Sequence, residues 1–143
     1  MTRQVCITDS GFLISIIKAD DENHDLSLAI TKKLIMEEAR ILYPVSAIVE
    51  AATALSRRYN LPQLAQDLLK TYKDPGMEII AIDSEVFINS IDFFNPKSSK
   101  QDTPFDSLIL SLALLQKADI ILSYDGFYKD KGFKLARDLL KEK

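Results

Sequence analysis

Short apolar segments rich in β-branched residues alternate along this chain with longer segments of helical periodicity, and few folds accommodate that pattern. "QVCIT" (4–8) reads as a buried strand, and "GFLISIIK" (11–18) as a helix that follows at once. The run 25–39 sets Leu28, Leu34, Ile35 and Ala39 at helical spacing among charges. "RILYPV" (40–45) is a second strand, closed by Pro44; Ser46 opens a helix over 46–59, and Pro62 another over 62–73. "DPG" (74–76) marks a turn before the strand "MEIIAI" (77–82), and Asp83 or Ser84 caps a helix over 84–94. The loop 95–103 leads to a helix and then to the strand "DIILS" (119–123). The tail from Gly132 is helical at its end, with "GFKL" either coil or an edge strand. Strands alternating with helices imply an α/β layer fold with a mainly parallel sheet.

The helix begun by "DTPFDSLILSLALLQ" (102–116) is apolar on nearly every face, as interior helices are, yet carries carboxylates at its start. Capping explains one of them. Thr103 suits the N-cap, Pro104 the first helical position, and Asp106 stands where an acid reaches back to free N–H groups. A functional reading requires other acids at the same place. In parallel sheets the ligand crevice lies outside the carboxyl ends of the strands, so the acids to weigh are those at strand ends and in first helical turns.

Four qualify. Asp9 ends the first strand, Asp125 follows the strand 119–123, Glu50 is in the second turn of the helix after the second strand, and Asp106 opens the helix leading into 119–123. Asp106 reaches the crevice only if its helix runs antiparallel to the strand that follows. Each acid has a structural alternative: Asp9 a cap, Glu50 a surface glutamate, Asp125 a turn with Gly126. Asp83, also at a strand end, looks like a plain cap with Ser84 and Glu85 and serves as a control.

Composition narrows the chemistry. The chain has 143 residues, 47% hydrophobic and 27% charged, and is expected to form one domain (1–143). With one cysteine and one histidine it can form no internal disulfide and no zinc site of the usual Cys/His kind. Cys6 reads as a buried thiol, and His24 as part of a solvated loop or helix start. No apolar run approaches the roughly 20 residues of a membrane span, and "MTRQVCITD" lacks the apolar core of a signal peptide. A cytoplasmic protein that relies on oxygen ligands is therefore expected. Clustered carboxylates repel one another unless a cation compensates them, and such a set suits Mg²⁺ or Mn²⁺. The net charge of −3 becomes +1 when the four acids are set aside, so it does not exclude RNA. Arg57, Arg58, Lys97, Lys100 and Lys129 are candidate RNA contacts, with ordinary solubilising surface as the alternative.

With these residues in view, the chain resembles PIN-domain proteins, the metal-dependent nuclease family that includes VapC-type toxins of toxin–antitoxin pairs. The resemblance spans the chain through "ITDSGFLI", "YPVSAIVEAATAL", "SSKQDTPFDSLILSLA" and "ADIILSYDGFYKDKGFKLA". It implies a three-layer α/β/α sandwich and a Mg²⁺- or Mn²⁺-dependent endoribonuclease, commonly a homodimer. It puts Asp9, Glu50, Asp106 and Asp125 in the places of the metal-binding, catalytic acids. Ser123 takes the place of a Ser or Thr two residues before the last acid, and Ser10 is a further supporting candidate. Asp102 is either an additional acid behind the cluster or simply the residue before the cap. The resemblance also implies an antitoxin, a small protein with a basic C-terminal segment. The ending "SYDGFYKDKGFKLA" is closer to a subset of archaeal and bacterial members than to the best-known toxins.

Two alternatives come from other classes. A receiver-like signalling domain would use Asp83 as phosphoacceptor and Ser123 as switch hydroxyl, but it needs an acidic pair after the first strand, where Asp9 is followed by Ser10 and Gly11. A PIN fold without catalysis would serve as a binding module, and four intact acids weigh against it.

Overall fold

The computed structural model describes residues 3–140. Among them, strands β1 (Val5–Thr8), β2 (Arg40–Pro44), β3 (Glu78–Ile80), β4 (Ile120–Leu122) and β5 (Lys134–Leu135) form one sheet in the order β3-β2-β1-β4-β5. Every neighbouring pair is parallel. The helices are α1 (Ser10–Ile17), α2 (His24–Met36), α3 (Val45–Arg57), α4 (Pro62–Thr71), α5 (Ser84–Ile91), α6 (Pro104–Leu115) and α7 (Ala136–Leu139).

Side chains of a strand point alternately to the two faces, and a sheet covered on both faces needs apolar residues at successive positions. That is why "VCI" of β1 and "IIL" of β4 are continuous apolar runs. Ile7, Leu42 and Ile121 pack on one side with Ala51 and Leu55 of α3, Leu68 of α4 and Leu112 of α6. Cys6, Ile120 and Leu122 pack on the other with Ile30 and Leu34 of α2 and Leu139 of α7. The result is the three-layer α/β/α sandwich. Each fully buried Leu or Ile contributes roughly 1.5–3 kcal/mol relative to an exposed one.

Several elements stop short of the periodic pattern. The pattern carries the second helix to residue 39, but α2 ends at Met36. Glu38 adopts a left-handed backbone (φ 58), and the Ala39 N–H turns back to the Leu34 carbonyl at 2.9 Å, which closes the helix and releases β2. Val45 belongs to α3 instead of β2, and α5 ends at Ile91. "GFKL" does contribute the edge strand β5. The last residues of the tail helix, 141–143, lie outside the described residues. His24 opens α2, and its Nδ1–H donates to the Ser15 carbonyl at 2.8 Å. Cys6 is fully buried, and burial pushes its thiol up to about 12. No helix among the described residues is long and apolar enough to cross a membrane.

The strand order locates the crevice. From β1 the chain builds outward through β2 to β3, then crosses back to place β4 on the other side of β1, followed by β5. The direction of building reverses between β1 and β4, where parallel sheets open a cleft at the carboxyl ends of the strands.

Candidate active site

Asp9 and Asp125 flank that reversal point, one after each central strand. Asp9 caps α1: Oδ1 accepts the Phe12 N–H at 2.9 Å, and Oδ2 accepts a short hydrogen bond from the Ser123 hydroxyl. Ser123 Oγ in turn accepts the Asp125 N–H at 2.9 Å, and Asp125 Oδ1 accepts the Phe127 N–H at 2.8 Å, capping a single 3₁₀ turn over Gly126–Tyr128. One hydroxyl thus fixes the ends of β1 and β4 against each other. Asp9 is 7% exposed, an unusual burial for a carboxylate with no basic partner among the described residues.

The other acids arrive on helices. Because α6 leads directly into β4, its N-terminus lies at the carboxyl edge, which brings Asp106 to the cleft. Asp106 Oδ2 accepts the Thr103 N–H at 2.9 Å, one half of a capping box, while the buried Thr103 hydroxyl has no protein partner. Tyr128, fully buried, directs its hydroxyl at the Asp106 carbonyl (3.4 Å) and Oδ1 (3.5 Å). Glu50 points in from the second turn of α3 and lines the cleft with Ser10. Asp9, Glu50, Asp106 and Asp125 all line one open cleft of about 560 Å³, together with Ser10, Asp21, Asn23, Arg58, Gln101, Thr103 and Tyr124.

This site is short of positive charge. Burial lifts the Asp9 carboxyl to about 7, against the hydrogen bonds from Ser123 and Phe12, and the charges of Asp106 and Asp125 add to the lift. Asp106 is pushed up to about 6, first by burial and then by Asp125, Glu50 and Asp102, with the Thr103 N–H opposing. Glu50 is raised by burial and the Asp125 charge, with Ser10 opposing. The Tyr128 phenol is held well above its ordinary value by burial and by the four acids around it. Asp102, Asp106 and Asp125 each bring one carboxylate oxygen within 4.8 Å of the others. An all-oxygen set of clustered carboxylates fits a hard divalent cation such as Mg²⁺ or Mn²⁺.

The candidate residues of the sequence are thus partly gathered and partly dispersed. Asp102 stands in the tight carboxylate trio, whereas Asp9 and Glu50 line the cleft outside it. Asp83 only caps α5, accepting the Val86 N–H at 3.0 Å, and does not line the cleft. Arg58 borders the cleft and Arg57 the adjacent groove beside Glu50; Lys129 lines a second cleft next to Asp125. Lys97 and Lys100 are exposed on the loop that sends Gln101 into the cleft. Asp21, Asn23, Gln101, Tyr124 and Tyr128 escaped the sequence reading. Their neighbours mark them as loop or apolar residues, and nothing local shows that their segments return to the strand ends.

A parallel α/β/α sandwich with carboxylates from four elements at the point of strand reversal defines an acidic-cleft α/β protein, its cluster compatible with metal binding. The pattern of the PIN domain matches residues 6–134, and the chain belongs to the PIN domain family. No curated protein matches it in sequence. Among solved structures it is similar to VapC20 of Mycobacterium tuberculosis, a sarcin–ricin loop cleaving toxin. The TM-score is 0.75 at 13% identity, covering 90% of this chain and 95% of that one. It is also similar to VapBC2 of Rickettsia felis, solved on a DNA fragment from its promoter (TM-score 0.67, 15% identity, 92% and 97% covered). FitAcB of Neisseria gonorrhoeae is a third (TM-score 0.65, 12% identity, 91% and 95% covered). The receiver-like alternative is left without support.

Proposed function

We propose that this chain is a divalent-metal-dependent endoribonuclease and the toxin of a toxin–antitoxin pair. The observation that carries the reading is the convergence of Asp9, Glu50, Asp106 and Asp125 on one cleft in a chain of the PIN family. Asp102, Asp106 and Asp125 would hold Mg²⁺ or Mn²⁺, with Asp9 and Glu50 completing the acidic wall. Such an ion would offset the charge of these acids and would supply activation of water and stabilisation of a phosphodiester's leaving oxygen. The protein's own part is positioning. Ser123 fixes Asp9, the Thr103 N–H orients Asp106, and Tyr128 supports Asp106 from below. Arg58 at the cleft border adds positive charge where the RNA backbone would lie. Purified protein is expected to cut single-stranded or looped RNA with Mg²⁺ or Mn²⁺ and to stop in EDTA. Full activity after complete chelation would end the metal reading.

The partner reading is supported by neighbours solved as toxin–antitoxin complexes. A carboxylate cleft without metal attracts arginine, which pairs with carboxylates through charge-assisted hydrogen bonds. A small antitoxin with a basic C-terminal segment would insert such a residue among Asp9, Glu50, Asp106 and Asp125. Co-expression with the neighbouring short gene should give a complex that Asp106→Asn weakens and added Mn²⁺ competes with. The absence of both a co-purifying partner and toxicity would remove the toxin reading and leave the nuclease. A homodimer is also proposed, covering the exposed apolar residues Val45, Val49 and Phe105, and sedimentation of the purified chain would measure it.

A further inference from the structure

A second cleft, of about 540 Å³, opens beside the acids and shares Tyr124 and Asp125 with them; Lys129, Asp130, Phe133 and Arg137 are among its walls. Nothing in the proposed chemistry uses it. We propose that this cleft is a nucleotide subsite. It takes the base of the RNA residue next to the scissile phosphate, stacked against Arg137, with Lys129 at its rim facing the adjoining backbone. The inference rests on the ribonuclease reading and extends it to the path of the strand.

Its wall is pre-organised. The Tyr124 hydroxyl is 2.6 Å from the Ser27 hydroxyl on α2, and its ring stacks on Phe12 (centroids 6.0 Å apart, planes at 30°). The Arg137 guanidinium lies over the Tyr124 ring, 4.9 Å from its centroid, and its Nη2 donates to Asn23 Oδ1 at 3.2 Å. Arginine so held is a planar cation on which a base can stack. Phe133, partly buried, adds an apolar surface.

The charges decide which part of a nucleotide enters. Asp125, Asp130 and Asp138 line the cleft and would repel a phosphate placed among them. Asp130 and Asp138, which lie outside the proposed ion site, can accept hydrogen bonds from base amino groups. Asp138 Oδ2 already accepts the Leu135 N–H at 2.9 Å, which fixes its orientation. The base therefore goes in and the phosphate stays at the basic rim. Adenine, with an exocyclic amino donor and a larger face to stack on Arg137, is favoured over uracil. Continuity through Tyr124 and Asp125 places this base one step along the strand from the acids.

The test is amide NMR of the ¹⁵N-labelled chain in EDTA, where RNA is not cut, titrated with the tetraribonucleotides AAAA and UUUU. Saturable shifts are expected across residues 124–137, with AAAA binding several-fold tighter. Arg137→Ala should weaken AAAA by about tenfold, the scale of one stacked base. Lys129→Ala, at an exposed position, should weaken it less, and stands in should Arg137→Ala not fold. Shifts that avoid residues 124–137, equal affinity for the two oligonucleotides, or unchanged affinity in both variants would overturn the subsite. A parallel cleavage assay with Mn²⁺ separates the readings. Cleavage without shifts here removes only the subsite, whereas saturable shifts here without cleavage remove only the nuclease.

Discussion

Asp106→Asn and Asp125→Asn are each expected to lower RNA cleavage by on the order of 10²–10³-fold, the loss typical when one preorganised electrostatic group leaves a reaction site. Both carboxylates belong to the trio within 4.8 Å, and an amide there removes a full charge at almost constant shape. The Asn side chain keeps an oxygen that can accept the Thr103 N–H in one case and the Phe127 N–H in the other. Local structure should therefore survive. Asp83→Asn is the control: Asp83 also accepts a backbone N–H at a helix start, but outside the cleft, and Asn is an equally good N-cap. Its cleavage rate should equal that of the wild type. Rates would be compared at saturating Mn²⁺, with circular dichroism to check folding. Cleavage within threefold of wild type in both cleft variants would remove these acids from the chemistry.

The second large effect is a stability that falls as pH rises when metal is chelated. The Asp9 carboxyl titrates at about 7 in the folded chain, against 3.8 ordinarily, because burial disfavours its charge. Between about pH 4 and 7 the folded state keeps a proton that the unfolded chain has released. Folding stability therefore declines through that window and is lowest above it. For Asp9 alone the span sets an upper bound on the order of 4 kcal/mol. Asp106, raised to about 6, acts in the same direction. Urea unfolding in EDTA should show the chain weaker at pH 8 than at pH 5. Asp9→Asn should flatten that dependence and raise stability at pH 8, and millimolar Mn²⁺ should restore the wild type there. Wild-type stability that is flat or rising from pH 5 to 8 would contradict the buried, ionisable Asp9.

The two results share one cause. The desolvation that raises Asp9 and Asp106 makes the folded chain a strained holder of negative charge, and a divalent cation relieves the strain. Affinity for the ion and instability without it are two sides of the same geometry. The hydrogen bond from Ser123 favours the charged form of Asp9 and opposes part of the lift that burial imposes.

The sequence by itself determined the kinds and order of elements. Strands buried on both faces must be apolar at successive positions, and "VCI" and "IIL" are. Caps are local hydrogen bonds, so Asp9, Asp83 and Asp125 could be read as caps from neighbours two or three residues away. The placement of acids at strand ends followed from the same local pattern, and the family resemblance named four of them. What only the tertiary structure decided is which ends meet. The pairing of β1 with β4 joins Cys6–Thr8 to Ile120–Leu122 and so sets Ser123 against Asp9, 114 positions away. The entry of Asp102 into the carboxylate trio, the Tyr124–Ser27 bond and the support of Asp106 by Tyr128 depend on the same assembly. Periodicity and capping act over a few residues, whereas strand order is chosen by the packing of distant apolar faces. No short stretch of sequence carries that choice.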